Sequence, residues 1–163
     1  MTIDPTARYT NVRARVNGYL AGLTITGTPT WVVRGSHPVN ATRWCRVTYR
    51  PILEDWSGRY SSTQVVAMVR DLVVVDLFYP LGDTEDAPDL YQIDRAADDV
   101  AHGLRSLALS FLDYSSDPDS PDVVPGARIF VVDPPQVATL DPSGGYARRQ
   151  ITAEVLWYLR HTA

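Results

Sequence analysis

Two carboxylates, Asp71 and Asp76, stand inside the most apolar stretch of the chain, Thr63–Pro80 (TQVVAMVRDLVVVDLFYP). A carboxylate pair can divide the roles of general acid and base. No nucleophile, base or phosphate loop accompanies this one, so the two read as charge partners for Arg70 or Arg46 across strands. The histidines, His37, His102 and His161, are not at metal-ligand spacing from one another. Asp117, Asp119 and Asp122 imitate an oxygen-rich calcium loop. They lack its central Gly and terminal Glu, and Pro118 and Pro121 interrupt them. Gly144-Gly145 leads into Tyr146 and a strand rather than Lys-Ser/Thr and a helix, so it is a turn. No serine sits in a nucleophile elbow. The single cysteine, Cys45, excludes an internal disulfide and lies in a strand-like run, as a small buried hydrophobe does. The expectation is no catalytic residue, no metal and no cofactor.

The elements that would position these residues follow from periodicity. Pro5 to Leu23 carries Tyr9, Val12, Val16, Tyr19, Leu20 and Leu23 at helical spacing, with Asp4 as N-cap and Pro5 in the first turn. Asp89 to Leu112 carries Ile93, Ala97, Val100, Leu104, Leu107 and Phe111 on one stripe. Asp89 and Gln92 form a capping-box pair there, and Asp94, Asp98 and Asp99 complement the helix dipole. A connection with a short strand at Thr30–Arg34 precedes a strand at Trp44–Arg50. That strand puts Cys45, Val47 and Tyr49 on one face and Trp44, Arg46, Thr48 and Arg50 on the other. Pro51–Ser62 reads as a turn-rich excursion.

Thr63–Pro80 is β-strand in composition. Its two parities, Val66 to Phe78 and Val65 to Leu77, are both mostly apolar. Fully extended it would span about 55 Å, beyond a usual strand, so a bend, bulge or turn is expected, at Arg70-Asp71. Tyr114–Gly126 is polar, acidic and proline-rich and is expected to be mobile. Ala127–Val132 is a strand, the segment through Gly144-Gly145 a loop, and Ala147–His161 a final strand with Ile151, Ala153 and Val155 on one face. The order is α-β-β-α-β-β. The expected fold is α+β: a mostly antiparallel four- to five-stranded sheet with two helices on one face, as one domain over 1–163.

The chain has 163 residues, is 45% hydrophobic and 21% charged, and carries a net charge of −4. That is ordinary for a globular domain with a real core, and it argues against an electrostatic grip on nucleic acid. All 15 basic residues are arginine, which suits bidentate contacts to carboxylates. The N-terminus lacks the pattern of a secretion signal, and charges interrupt the longest apolar run, so neither secretion nor a membrane span is expected. The second apolar parity of the long stretch needs a cover. An inner β layer or a neighbouring subunit would supply one; core packing accounts for most of the four tryptophans and nine tyrosines, and interface anchoring for some.

In order and position the elements resemble the tail terminator (tail completion) proteins of long-tailed, lambda-like bacteriophages, over nearly the whole length. The resemblance lies in the N-terminal helix, the Trp-initiated strand of NATRWCRVTYRP, and the apolar stretch closing on FYPLGD. It continues in the helix IDRAADDVAHGLRSLALSF and the aromatic final strand VLWYLR. The acidic 114–126 tract and the absence of lysine depart from the pattern. The resemblance implies a structural virion protein, not an enzyme, assembled in the host cytoplasm and placed at the head-proximal end of the tail. It implies a homo-hexameric ring that ends polymerisation of the major tail tube protein and offers a joining surface to the head connector. DNA would pass through the channel without sequence-specific binding. An acidic protein fits such a channel, since an attractive wall would retain the duplex. On this reading Arg70, Asp71, Val73, Val75, Asp76 and Leu77 are the expected subunit interface. Trp56, Arg59, Asp117, Asp119 and Asp122 are the expected docking loops. The alternatives are another neck component or a tail tube subunit, and, in other classes, a small hydrolase or a ligand-binding domain.

Overall fold

The computed structural model describes the backbone of residues 13, 16–32, 42–61, 64–81, 88–107, 128–131 and 134–162. Side chains are described for 13, 16–32, 42–52, 70–81, 90–107, 131 and 134–156. Two helices and six strands are present among these residues. Helix α1 is helical at residue 13 and over 16–21. The remaining elements are β1 (Thr30–Val32), β2 (Trp44–Ser61), β3 (Gln64–Pro80), α2 (Pro88–Arg105), β4 (Arg128–Val131), β5 (Gln136–Ser143) and β6 (Tyr146–Thr162). The fold is α+β, and its one sheet is antiparallel except where β1 runs parallel to the start of β2.

The sheet runs β1-β2-β3-β6, and the outer edge of β6 is shared by two short strands. β5 pairs with residues 146–152 of β6, and β4 with residues 155–158. β3 is the central strand. Its pairing with β6 runs unbroken from Gln64↔Thr162 to Pro80↔Tyr146. A run of valines suits this place, because a β-branched side chain packs well on a pleated surface that is covered on both sides.

An irregularity does fall at the expected place, Arg70-Asp71, although the pairing of β3 with β6 runs through it unbroken. The irregularity is carried by the partner strand: the β2–β3 register shifts between Pro51 and Leu53, opposite Asp71 and Arg70. Two further shifts follow, at Asp55/Gly58 and Arg59/Ser61. Bulges of this kind let a long ribbon twist without losing its pairing. They also explain why the expected Pro51–Ser62 excursion is strand instead. Pro51 has no N–H to donate, but β1 reaches only Trp44–Arg46, so at Pro51 the outer side of β2 faces no described strand.

The helices cover one face of the sheet. Val16 and Leu20 of α1 are fully buried, four residues apart on one stripe. α2 buries Ile93, Ala97, Val100 and Leu104 of the stripe expected from its spacing, with Ala96 and Ala101 beside them. Beneath them lie Cys45 and Val47 of β2, Val73, Val75, Leu77 and Tyr79 of β3, and Ile151, Ala153 and Val155 of β6. α2 ends at Arg105, short of the expected Leu112, with the Ser106 amide donating to the carbonyls of His102 and Gly103. His102 and Arg105 in its last turn complement the negative end of the dipole. The helices meet at Gly103, where Leu23 comes so close that an added Cβ would lie 2.3 Å from its Cδ1. Tyr19 donates to the Gly103 carbonyl there at 2.8 Å.

The turn after α1 is clipped to α2 by Asp99, whose carboxylate accepts from the Thr26 amide at 2.8 Å and its hydroxyl at 2.7 Å. Gly27 follows in the left-handed region (φ 81°), with its Cα against the Tyr79 ring. A Cβ here would lie 2.9 Å from Tyr79 Cε2 and 3.1 Å from Arg43 Cδ. Gly27→Ala is therefore expected to cost about 2 kcal/mol, from the left-handed conformation and the crowding together. Urea unfolding monitored by circular dichroism measures it. The second glycine turn, Gly144-Gly145 (φ 58° and 80°), is a two-residue connection of type I′ character joining β5 to β6.

Candidate functional site

The two faces of the sheet do different things, and the expected site residues divide between them. Asp71, Val73, Val75 and Leu77 are on the helix-covered face and fully buried within this one chain. At these four positions the expected subunit seam falls in the core of the single chain, under its own helices. Arg70 and Asp76 lie on the opposite face. Trp56 and Arg59 are in strand β2 rather than in a loop. Asp117, Asp119, Asp122 and the rest of the 114–126 tract lie outside the described residues.

On the helix face the charged groups are structural. Asp71 accepts a bidentate contact from Arg13 of α1, at 3.1 Å from Nε and 2.9 Å from Nη2. A helix arginine thus takes this carboxylate, while the strand arginines Arg46 and Arg70 pair with Asp76 and Glu154. Tyr49 adds to this clamp. Its hydroxyl donates within reach of Asn17 Oδ1 (2.6 Å) and the Arg13 carbonyl (3.2 Å), and its ring lies under the Arg13 guanidinium. Burial pushes the Tyr49 phenol well above its ordinary pKa; the nearby Arg13 opposes that shift and Asp71 reinforces it. Asp94 of α2 takes Arg149 of β6 at 2.8 Å.

Cys45 is fully buried, 3.7 Å from the Thr30 carbonyl, and burial pushes its thiol up as well. A thiol of this kind is inert. Ellman's reagent is expected to leave Cys45 untouched in the folded protein at about pH 8 and to titrate it fully in denaturant. Rapid native labelling would show that the β1–β2 end of the sheet opens.

The opposite face is where register assembles something composition does not reveal. Direct cross-strand rows run across β2, β3 and β6: Trp44–Phe78–Arg148, Arg46–Asp76–Gln150, Thr48–Val74–Thr152 and Arg50–Leu72–Glu154. In the first, the Trp44 and Phe78 rings stack at 3.9 Å, nearly parallel at 5°. The Arg148 and Arg46 guanidinium groups lie 5.3 and 5.8 Å from the centroid of Phe78. In the second, Asp76 is held from both sides, by Arg46 Nη2 at 3.2 Å and Gln150 Nε2 at 2.9 Å. Arg70 pairs diagonally with Glu154.

Further along this face the surface opens. Leu72 and Leu156 are half-buried, Arg50 is exposed, and Ile52 is 50% exposed. Both carboxylates, Asp76 and Glu154, are engaged by arginines, so the face offers guanidinium groups around an apolar strip. That is binding chemistry. Asp76 and its arginine partner were legible in the sequence; the Trp44–Phe78 stack, Arg148 and Gln150 were not. The parity of β2 and β3 was visible, but which residue stands beside which needs the register.

Among the described residues no group of three or more His, Cys, Asp or Glu side chains is placed to hold a metal ion. No described helix is long and apolar enough to cross a membrane.

The class these elements define is an α+β domain with a two-helix layer on a long, mostly antiparallel sheet. No protein-family model and no curated protein matches the chain. Among solved structures, one chain whose name describes no function is similar over 99% of this chain and 99% of its own, at 17% identity and a TM-score of 0.46.

Proposed function

We propose that this chain is a structural subunit of a bacteriophage tail. In this role it forms a ring at the head-proximal end of the tail tube, ends tube polymerisation and offers the surface that joins the head. The observation that carries the reading is the asymmetry of the sheet. One face is sealed by the chain's own helices; on the other, Trp44, Val74 and Phe78 are buried, while Leu72, Leu156 and Ile52 keep exposed surface among arginines of β2, β3 and β6, strands of 17 or 18 residues. Such a surface suits protein contact, with apolar burial at its centre and guanidinium groups at its rim. The resemblance of the element order to tail terminators supports the particular assembly, and with it the tube protein, the head connector and passing DNA as partners.

The test is co-expression with a candidate major tail tube protein, followed by negative-stain imaging and mass measurement. Hexameric rings, and tubes shortened and capped at one end, are expected. Tubes of unaltered length, with the protein never found at a tube end, would overturn the terminator reading. Rings that bind a head-closure protein but leave tubes alone would move the chain to another position in the neck.

A further inference from the structure

We infer that two copies of this chain join edge to edge through strand β5, antiparallel about a two-fold axis at Ala138, so that their sheets run on as one. An edge strand presents a row of unpaired backbone N–H and C=O groups, and natural sheets blunt such rows with short strands, prolines, charges or bulges. β1 and β4 are three and four residues long. β2 carries Pro51 and three register shifts in its pairing with β3. β5 is guarded at one end alone, where Asp141, Pro142 and the shift between Leu140 and Ser143 fall. From Gln136 to Leu140 it pairs with β6 in regular register and carries no charge, proline or glycine. No described strand lies on its outer side. Its side chains are exposed on both faces apart from the half-buried Leu140, and Val137 keeps 46% of its surface in water.

A second copy of the same five residues fits this edge. About a two-fold axis normal to the sheet, residues that share a face meet one another. Centring on Ala138 sets Ala138 against itself, Val137 against Thr139 and Gln136 against Leu140, so the two β-branched side chains form cross-strand pairs. All five residues are uncharged, so no like charges are opposed even though each copy carries −4. Asp141 of one copy comes level with Pro135 of the other, six residues from that copy's own Asp141. The two carboxylates are then roughly 20 Å apart, beyond the screening length at physiological salt. Other registers fit less well. Centring on Thr139 would set Val137 against a carboxylate, and centring on Val137 would set Thr139 against Pro135, which has no N–H to donate. A ladder of about 17 Å is a small contact, so a dimer forming at tens of micromolar is expected. The contact goes beyond the ring reading. A ring closes through head-to-tail contacts, whereas a two-fold contact pairs two subunits or two rings.

Analytical ultracentrifugation of the purified full chain tests it, with Ala138→Lys and Ala138→Glu run singly and mixed. Ala138 is exposed, so both variants should keep the wild-type unfolding midpoint. Wild type is expected as a monomer–dimer equilibrium. Either variant alone sets like charges directly opposite each other and should weaken the dimer about tenfold, while an equal mixture of the two should recover it. Ala138→Cys keeps the test open if the charged variants disturb folding. A short bis-maleimide should link it into a dimer and leave wild type unlinked, because Cys45 is buried. A wild-type chain that stays monomeric up to about 1 mM would overturn the contact, and rings on tail tubes in the same preparation would leave the ring reading standing. A dimer indifferent to both charged variants would overturn the choice of strand. Loss in both variants with no recovery in the mixture would overturn the two-fold register and leave β5 as an edge for a different strand.

Discussion

Val75→Asp is expected to leave no folded protein. Val75 has no exposed surface; it stands between Val47 of β2 and Ile151 of β6 on the face the helices cover. The substitution removes about 1.5 kcal/mol of valine burial and places a carboxylate where no described polar group faces it. Desolvating that group costs several kcal/mol even if it takes up a proton, against a total stability of about 5–15 kcal/mol for an ordinary domain. Val73→Asp, between Tyr49 and Ala153, should behave alike. Leu72→Asp is the control one residue away. It is half-buried on the open face beside Arg50, and about 1 kcal/mol is expected. Far-UV circular dichroism and thermal melting of the three separate the faces. A Val75→Asp protein melting within a few degrees of wild type would mean that the helices do not seal this face in solution.

The second large effect concerns the ion pair that fastens α1 to the sheet, and it should be lopsided. Asp71 is completely buried, whereas the Arg13 side chain keeps 24% of its surface exposed. If Asp71 is replaced by Asn, the Arg13 guanidinium can turn toward water, so about 1–2 kcal/mol is expected. If Arg13 is replaced by Leu, the buried carboxylate loses its bidentate partner and cannot reach solvent, so about 3–5 kcal/mol is expected. Pairing Arg13→Leu with Asp71→Leu should recover most of that loss, because a matched apolar pair asks for no desolvation. Denaturant titration of these variants, with Asp71→Leu alone to close the cycle, reads the coupling. Equal losses in the two single variants, with simple addition in the double, would show that the pair contributes little as a pair.

How much of this was legible beforehand depends on whether a feature is local. The stripe of α2 was, because Ile93, Ala97, Val100 and Leu104 recur at the helical period and nothing else in the segment competes. The sidedness of β6 was too, since Ile151, Ala153 and Val155 alternate with Gln150, Thr152 and Glu154. β5 was not legible. Its residues QVATLDPS are exposed on both faces except for a half-buried Leu140, so no alternation marks a strand, and Asp141-Pro142 imitates a turn. Only its pairing with β6 makes it one. In β2, proline, glycine and serine argued for a loop, but the chain absorbs them as bulges in its pairing with β3, and its other side faces no described strand there. The site failed for a different reason. Asp71 could be seen to need a cation, yet 15 arginines were available, and Arg13 is chosen by how α1 docks. The Trp44–Phe78–Arg148 row joins residues from three strands, and no short-range pattern selects that alignment.

The central place of β3 also governs how fast the fold can form. Its partner on one side, β2, is reached through a tight hairpin, Ser61 pairing with Gln64. On the other side lies β6, the last strand in the chain, with α2, β4 and β5 intervening before Tyr146 can meet Pro80 or Thr162 can meet Gln64. The hairpin is an early, local product. Insertion of β6 closes a long loop, and its entropy is spent before the pairing repays it. Folding should therefore pass through a slow, highly non-local step, during which the inner edge of β3 is bare and able to pair with the wrong strand. Dilution during refolding should raise the yield, and the slow phase should be the one in which the Cys45 thiol becomes protected.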